Sequence, residues 1–245
     1  MSARGGGELK GNVVQCRIKP SDASAETRIL GDAFVFSNVV SMTIDGNPVD
    51  NVKVYIFNDT NEHNVNIWLK ENLTNYRDMF RSCIDTISID FKYTNTSIAT
   101  DMQRLCYGSK QVSSIKNLNT QNVAALNNAF SGCLGLIYAP SIDVSNVTSF
   151  SGVFANSGNI LNLTIKNLGK KTLSSGAVWD FSGAVNWGTG GEENRQSLID
   201  SLITYSYDRA SNGMPTATIK LSSKTKALLT AEEIAQIEAK GFTIA

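Results

Sequence analysis

The stretch NVAALNNAFSGC at Asn122–Cys133 returns 24 residues later as NVTSFSGVFANS at Asn146–Ser157, with its apolar residues in the same positions. Two earlier copies of the pattern follow the same spacing, and the shifts between the anchor residues of the four copies are 26, 24 and 24 residues. An internal repeat of roughly 20–50 residues is typical of proteins in which each unit is stable only when stacked on its neighbours. The anchor residues, which we expect in equivalent buried positions, are Phe80, Cys106, Phe130 and Phe154.

Each copy combines two kinds of periodicity. The apolar residues up to the anchor fall at i, i+3, i+6 and i+7, which predicts one face of a short helix. After the anchor the spacing becomes two, as in Leu161, Leu163 and Ile165, which predicts a short strand. The sequence therefore predicts an α+β protein built around a short leucine-rich-repeat solenoid over residues 71–190. A generic α+β domain with chance internal similarity is the alternative.

The flanking regions predict a β domain before the repeats and a cap after them. Residues 12–70 alternate apolar and polar side chains in short runs, and Asp45-Gly46 is a strong hairpin signal, so we expect a small antiparallel β domain. Residues 191–245 predict an α/β C-terminal cap, with a helix from Glu192, a capping box at Thr230–Glu233 and a closing strand after Gly241. Residues 1–11 are glycine-rich and predict a flexible arm.

Composition argues against most enzymes and against nucleic-acid binding. Lys and Arg total 22, Asp and Glu also total 22, and His63 is the single histidine. The balanced charge offers no attraction to a phosphate backbone, and one histidine leaves few candidates for a general base or a metal ligand. We therefore expect a non-enzymatic protein without a cofactor or metal. We also expect four unpaired cysteines, no membrane insertion and synthesis in a cytoplasm, because no secretory signal opens the sequence.

The candidate binding residues are aromatic and lie near the end of the repeats. Trp187 precedes a glycine-rich stretch, and a tryptophan on a mobile loop can stack on a sugar ring or anchor a protein contact. Tyr205 and Tyr207 belong to the same aromatic cluster. The alternative is that these side chains fill the core of the cap.

The blocks DMFRSC, NNAFSGC and DVSNVTSFSGVF resemble the BspA-like class of leucine-rich repeats over about Leu73–Leu168. Ser157 departs from that pattern, which has cysteine there, and this indicates an array in decay or adapted to a neighbour. The C-terminal segments NRQSLIDSLITYSYDRA and AEEIAQIEAKGFTIA resemble the cap of repeat proteins encoded by bacteriophages of gut bacteria.

This second resemblance implies a virion component made in the host cytoplasm, a tail, fibre or head-surface accessory protein. Its partners would be other virion proteins or a bacterial surface receptor, and it would act in assembly or host attachment as a homo-oligomer or as part of a larger assembly. A bacterial surface adhesin or host-interaction protein is the first alternative. A carbohydrate-active enzyme is the second.

Overall fold

Short strands dominate the regular structure of the computed structural model, which describes residues 11–173 and 178–245. The strands are β1 (Val13–Ile18), β2 (Glu26–Arg28), β3 (Val39–Ile44), β4 (Asn47–Val49), β5 (Val54–Ile56), β6 (His63–Leu69), β7 (Thr86–Tyr93), β8 (Ser114–Lys116), β9 (Ile142–Asp143), β10 (Ile165–Lys166), β11 (Val178–Asp180), β12 (Ala217–Lys220) and β13 (Phe242–Ile244). The helices are α1 (Glu192–Ile199), α2 (Ser223–Lys226) and α3 (Ala231–Ala239), and single 3₁₀ turns lie at Phe36–Asn38 and Thr96–Ile98. Apart from Gly11, the arm predicted for residues 1–11 lies outside the described residues.

The largest sheet has six strands in the order β4-β3-β6-β1-β7-β8. Its strands pair antiparallel except for β7 and β8, which are parallel. The two-residue turn between β3 and β4 is Asp45-Gly46, with φ of 50° and 81°, the left-handed backbone that such a tight hairpin requires. The predicted hairpin is therefore confirmed. The sheet crosses the boundary predicted at residue 70, because β7 and β8 come from the region assigned to the repeats.

The repeats are built from consecutive turns, not helices. Within each copy, residues four apart adopt positive φ, and a left-handed residue cannot continue a right-handed helix. Asparagine and glycine, which tolerate this conformation best, occupy five of the eight positions. The left-handed residues of the four copies are Asp78 and Ser82, Arg104 and Gly108, Asn128 and Gly132, and Gly152 and Asn156.

Backbone hydrogen bonds of the repeats alternate between the copy itself and the next copy. The Met79 N–H donates to the Tyr76 carbonyl within its own turn, whereas the Phe80 N–H donates to the Leu105 carbonyl at 2.8 Å. The same bond recurs from Cys106 to Ala129 at 2.8 Å and from Phe130 to Val153 at 3.0 Å. The polar backbone of each turn is therefore satisfied by the following copy. All four anchor residues are buried, with at most 1% of the side chain exposed.

The predicted fold class is wrong. The expected α+β protein had a helix in every unit of a leucine-rich-repeat solenoid and an α/β cap, whereas only 14% of the described residues are helical and most of the structure is sheet and turn. Besides the six-stranded sheet, residues 11–173 and 178–245 form three small ones, β9 with β10, β11-β12-β13, and β2 with β5. The apolar spacing fits one face of a helix, but a run of turns with left-handed residues buries the same positions.

The C-terminal elements agree individually with the sequence pattern. α1 continues as a π-helical turn over Asp200–Thr204, and α3 begins with the capping box of Thr230 and Glu233. Gly241, at φ 85°, ends that helix and leads into β13. The strands β11, β12 and β13 form a parallel sheet with β12 in the centre. One hydrophobic core connects these elements with the six-stranded sheet.

Cysteine and serine alternate at one buried position of the repeats, in the order Cys83, Ser109, Cys133 and Ser157. The Ser157 hydroxyl accepts a hydrogen bond from the Cys133 N–H at 3.2 Å and donates one to the Phe130 carbonyl at 2.6 Å. Ser109 makes the same pair of bonds to the copy before it. Ser157 is therefore a link between copies, which favours adaptation to a neighbour over decay of the array as the reason that it departs from the pattern.

The four cysteines are free and buried, as the sequence predicted. Burial raises the pKa of each thiol, including that of Cys133, which rises to about 12. These thiols are therefore protonated at neutral pH.

Candidate functional site

Tyr205 and Tyr207 reach the surface beside β10, and backbone hydrogen bonds fix the segment that carries them. The Asn167 N–H donates to the Tyr205 carbonyl at 2.8 Å, and the Tyr207 N–H donates to the Leu168 carbonyl at 2.8 Å. The intervening Ser206 is buried. Tyr205 is 40% exposed and Tyr207 is partly buried.

These tyrosines line one of two adjoining hollows that meet at Lys166. The first, of about 630 Å³, is lined by Lys166, Asn167, residues 204–208 and Asn212. The second, of about 410 Å³, is lined by residues 117–121, Ser141, Asp143 and Lys166. We call the two hollows together the polar groove.

Hydrogen bonds fix the floor of the polar groove. Asp143 accepts from the side-chain amide of Asn167 at 3.0 Å and from the Ser145 N–H at 2.8 Å. The Thr120 hydroxyl donates to the Asp143 carbonyl at 2.9 Å and accepts from the Asp143 N–H at 2.8 Å. These contacts leave the groove little freedom to rearrange when a ligand binds.

At one end of the groove, Asp208 is a fixed negative charge. Hydrogen bonds from the backbone N–H and the side chain of Ser211 lower the pKa of this carboxyl group. In the part of the chain that the structure describes, the Lys166 ammonium and the two tyrosine hydroxyls have no hydrogen-bond or ion-pair partner. The groove therefore offers a cation, two phenols and several amides to a ligand.

The arrangement is suited to binding. An ammonium group, a carboxylate and amides recognise polar groups, and tyrosine rings provide apolar contact with a polar tip. The single histidine lies elsewhere, where its Nδ1 is 2.7 Å from Asp45 and its Nε2 is 3.2 Å from Asp59. His63 is thus a residue that joins two loops of the N-terminal sheet.

The structure corrects the assignment of Trp187 as a surface binding residue. Its side chain is 0% exposed and packs against Phe181, with ring centroids 5.2 Å apart. Gly188 has a φ of 83°, and a Cβ atom there would lie 2.8 Å from Leu198. The glycine-rich stretch therefore allows close packing of the chain over the core, and no mobile loop presents the tryptophan. Tyr205 and Tyr207 remain the candidates.

Sequence reasoning missed the contribution of Lys166 and Asn167. A signal was present, because SIKNL at residues 114–118 returns as TIKNL at residues 164–168. Asn117 and Asn167 both have left-handed backbone, with φ of 58° and 59°. Each donates its side-chain amide to an aspartate of an earlier strand, Asn117 to Asp90 at 2.6 Å and Asn167 to Asp143 at 3.0 Å.

Comparison with known proteins gives one family match. Residues 33–139 match the family described as "Mycoplasma protein of unknown function, DUF285", which is found in BspA-like repeat proteins. The matched segment runs from before β3 to the third copy of the repeat and ends before Lys166, Tyr205 and Tyr207. No curated protein matches the chain, and no solved structure matches it. In the described residues, no helix is long and apolar enough to cross a membrane.

Proposed function

We propose that the chain is a non-enzymatic recognition protein that binds its partner through the polar groove, and that it serves as a bacteriophage virion component. It would be an accessory protein of the tail, a fibre or the head surface, in contact with another virion protein or with a receptor on the bacterial surface. The observation that carries the binding role is the pair Tyr205 and Tyr207, held by backbone hydrogen bonds at the rim of a groove whose Lys166 ammonium has no partner among the described residues.

The physical argument for this role is preorganisation. A ligand that binds a flexible surface must order it, which costs free energy, whereas the backbone of the tyrosine segment is already paired. Tyrosine is also enriched among the residues that dominate binding energy, because it combines a large contact area with few rotatable bonds. The virion role is supported by the resemblance of the C-terminal segments to phage-encoded repeat proteins.

A bacterial surface adhesin is the second candidate, and the family match favours it. The matched family is described from Mycoplasma, which is a cellular organism. The same groove would then bind a molecule of the host or of a neighbouring cell.

Immunogold labelling distinguishes the two candidates in the bacterium that carries the gene. An antibody against the chain is applied to intact uninduced cells and to phage particles purified after prophage induction. The virion role predicts labelled particles and unlabelled cells. Labelled cells with unlabelled particles would establish the adhesin, and labelling of neither would contradict both candidates.

The role of the groove is tested with fluorescently labelled chain, whose binding to intact host cells and to phage particles that lack the chain is measured. We expect Tyr205→Ala with Tyr207→Ala to weaken binding at least about tenfold, as for aromatic residues at the centre of an interface. Tyr107→Ala is the matched control, because Tyr107 is 38% exposed and does not line the groove. An equal loss in both variants, or in neither, would refute the groove as the binding site.

A further inference from the structure

The six-stranded sheet has a second face, which does not pack on the core. Core side chains such as Cys16, Val65 and Ile89 point to one side, so their neighbours along each strand point to the other. On this outer face one row of polar residues runs in register across five strands. In the order of the strands, the row consists of Thr43, Asn66, Gln15, Asp90 and Lys116.

Hydrogen bonds orient the amides of this row. Gln15 donates from Nε2 to Oδ1 of Asn66 at 3.1 Å, and Asn66 donates from Nδ2 to the Thr43 hydroxyl at 3.1 Å. Oδ1 of Asp90 accepts from the Asn117 amide at 2.6 Å. Within residues 11–173 and 178–245, no protein group engages Oε1 of Gln15, Oδ2 of Asp90 or Nζ of Lys116. The row is thus held in place while two acceptors and one donor stay available.

A second row lies beside the first, and four residues of each row line a hollow of about 350 Å³, which includes neither Thr43 nor Trp68. This second row contains Asn64, Arg17, Ser88 and Ser114, again on neighbouring strands in register. Trp68 follows Asn66 by two residues on β6 and therefore projects on the same side of the sheet. The outer face combines planar amides, hydroxyls and one indole.

The charges that line the hollow cancel once Glu62 at its rim is counted, and Lys92, exposed on β7 outside the lining, adds one positive charge. Arg17 forms an ion pair with Glu62 at the rim, and Lys116 stands opposite Asp90 in the register of β7 and β8. A nucleic acid or a polyanion requires an excess of positive charge, and the centre of a protein interface is usually depleted of charged residues and rich in aromatic ones. A saccharide has hydroxyls that both donate and accept, and the apolar face of its ring can stack on an indole.

We propose that the outer face of the six-stranded sheet binds a neutral saccharide. Gln15, Asn66, Asp90 and Lys116 hydrogen-bond its hydroxyls, and Trp68 contacts a ring face. This site is separate from the polar groove. The inference goes beyond the proposed function, because a saccharide site is compatible both with a virion protein and with an adhesin.

The test is an NMR titration of the ¹⁵N-labelled chain with neutral malto-, cello-, manno- and N-acetylglucosamine oligosaccharides. With at least one of them, the side-chain amide signals of Gln15 and Asn66 and the indole signal of Trp68 shift, with a dissociation constant of about 1 mM or lower. Gln15→Leu raises that constant about tenfold, since it removes the hydrogen-bonding end of the side chain. The matched control is Gln196→Leu, an exposed position on α1, which leaves binding unchanged.

The spectra of each variant show directly whether it is folded. If Gln15→Leu is not folded, Lys116→Met, at an exposed position, replaces it in the titration. Absence of shifts at these three side chains with every oligosaccharide would overturn the proposal. So would tighter, salt-dependent binding of heparin oligosaccharides, which indicates a polyanion site. Loss of saccharide binding in Tyr205→Ala but not in Gln15→Leu would place the saccharide in the polar groove and overturn this inference, while supporting the groove itself.

Discussion

Trp187 shows how burial changes the expected effect of a substitution. Because its indole is fully enclosed and packs against Phe181, we expect Trp187→Ala to lower the free energy of unfolding by about 3–5 kcal/mol. Urea denaturation measures this loss. Tyr205→Ala is the comparison, with an expected change within about 0.5 kcal/mol because that side chain is 40% exposed. A Trp187→Ala variant as stable as the wild type would contradict the core position.

Ser157 contributes through two buried backbone groups of the preceding copy. In Ser157→Ala the Cys133 N–H and the Phe130 carbonyl each lose the hydroxyl partner, and we expect a loss of about 1–3 kcal/mol. Ser151→Ala is the matched control, because Ser151 is exposed and its side chain makes no hydrogen bond among the described residues. Equal stability of the two variants in thermal unfolding would show that the link between copies contributes nothing.

The start of α3 depends on a charged hydrogen bond that varies with pH. Burial alone would raise the pKa of Glu233, but hydrogen bonds from the Thr230 N–H and from Arg195 outweigh it and lower that pKa. A carboxyl group with a depressed pKa stabilises the folded state fully above its unfolded value, near 4.5, and loses this contribution as the pH falls through the folded value.

We therefore expect Glu233→Gln to cost about 1–2 kcal/mol at pH 7 and less near pH 3, because the wild-type carboxyl group loses its charge progressively as the pH falls below about 4.5. Urea unfolding at the two pH values measures the difference. Glu232→Gln, in the same first turn but exposed, is expected to change stability much less. A Glu233→Gln cost that does not depend on pH would refute the electrostatic explanation.

Elements with a strong local signal could be predicted from the sequence, whereas those decided by the partner segment could not. The Asp45-Gly46 hairpin and the capping box of Thr230 depend on a few adjacent residues, and both occur as expected. The repeats depend on hydrogen bonds to a copy 24 to 26 residues away, which a local apolar pattern does not encode. Gly108 and Gly132, at positive φ, were the local sign that a helix could not form.

In the candidate site, too, local residue types could be predicted from the sequence, whereas positions set by distant segments could not. Tyr205 and Tyr207 could be proposed from residue type alone, but their position beside Asn167 follows from contacts between distant segments. Trp187 could not be placed, because a glycine-rich stretch is compatible both with a mobile loop and with close packing against Leu198.

The continuous hydrophobic core predicts that the whole molecule unfolds in one step. The buried cluster extends from Val14 in β1 to Phe242 in β13. In a Trp68→Phe variant, fluorescence reports Trp179 and Trp187 near the C-terminal sheet, while far-UV circular dichroism reports all the sheets. We expect coincident urea midpoints from the two measurements. Two separate midpoints would show that the ends of the chain unfold independently.

The buried, protonated cysteines determine how the protein responds to a change of cellular compartment. Among the described residues no disulfide holds the fold together, and no thiol is both accessible and ionised. The fold is therefore the same in a reducing cytoplasm, where glutathione keeps thiols reduced, and in an oxidising exterior. A particle released by lysis, or a protein exported to a cell surface, would need no oxidative maturation and no disulfide isomerase to keep its recognition surfaces intact.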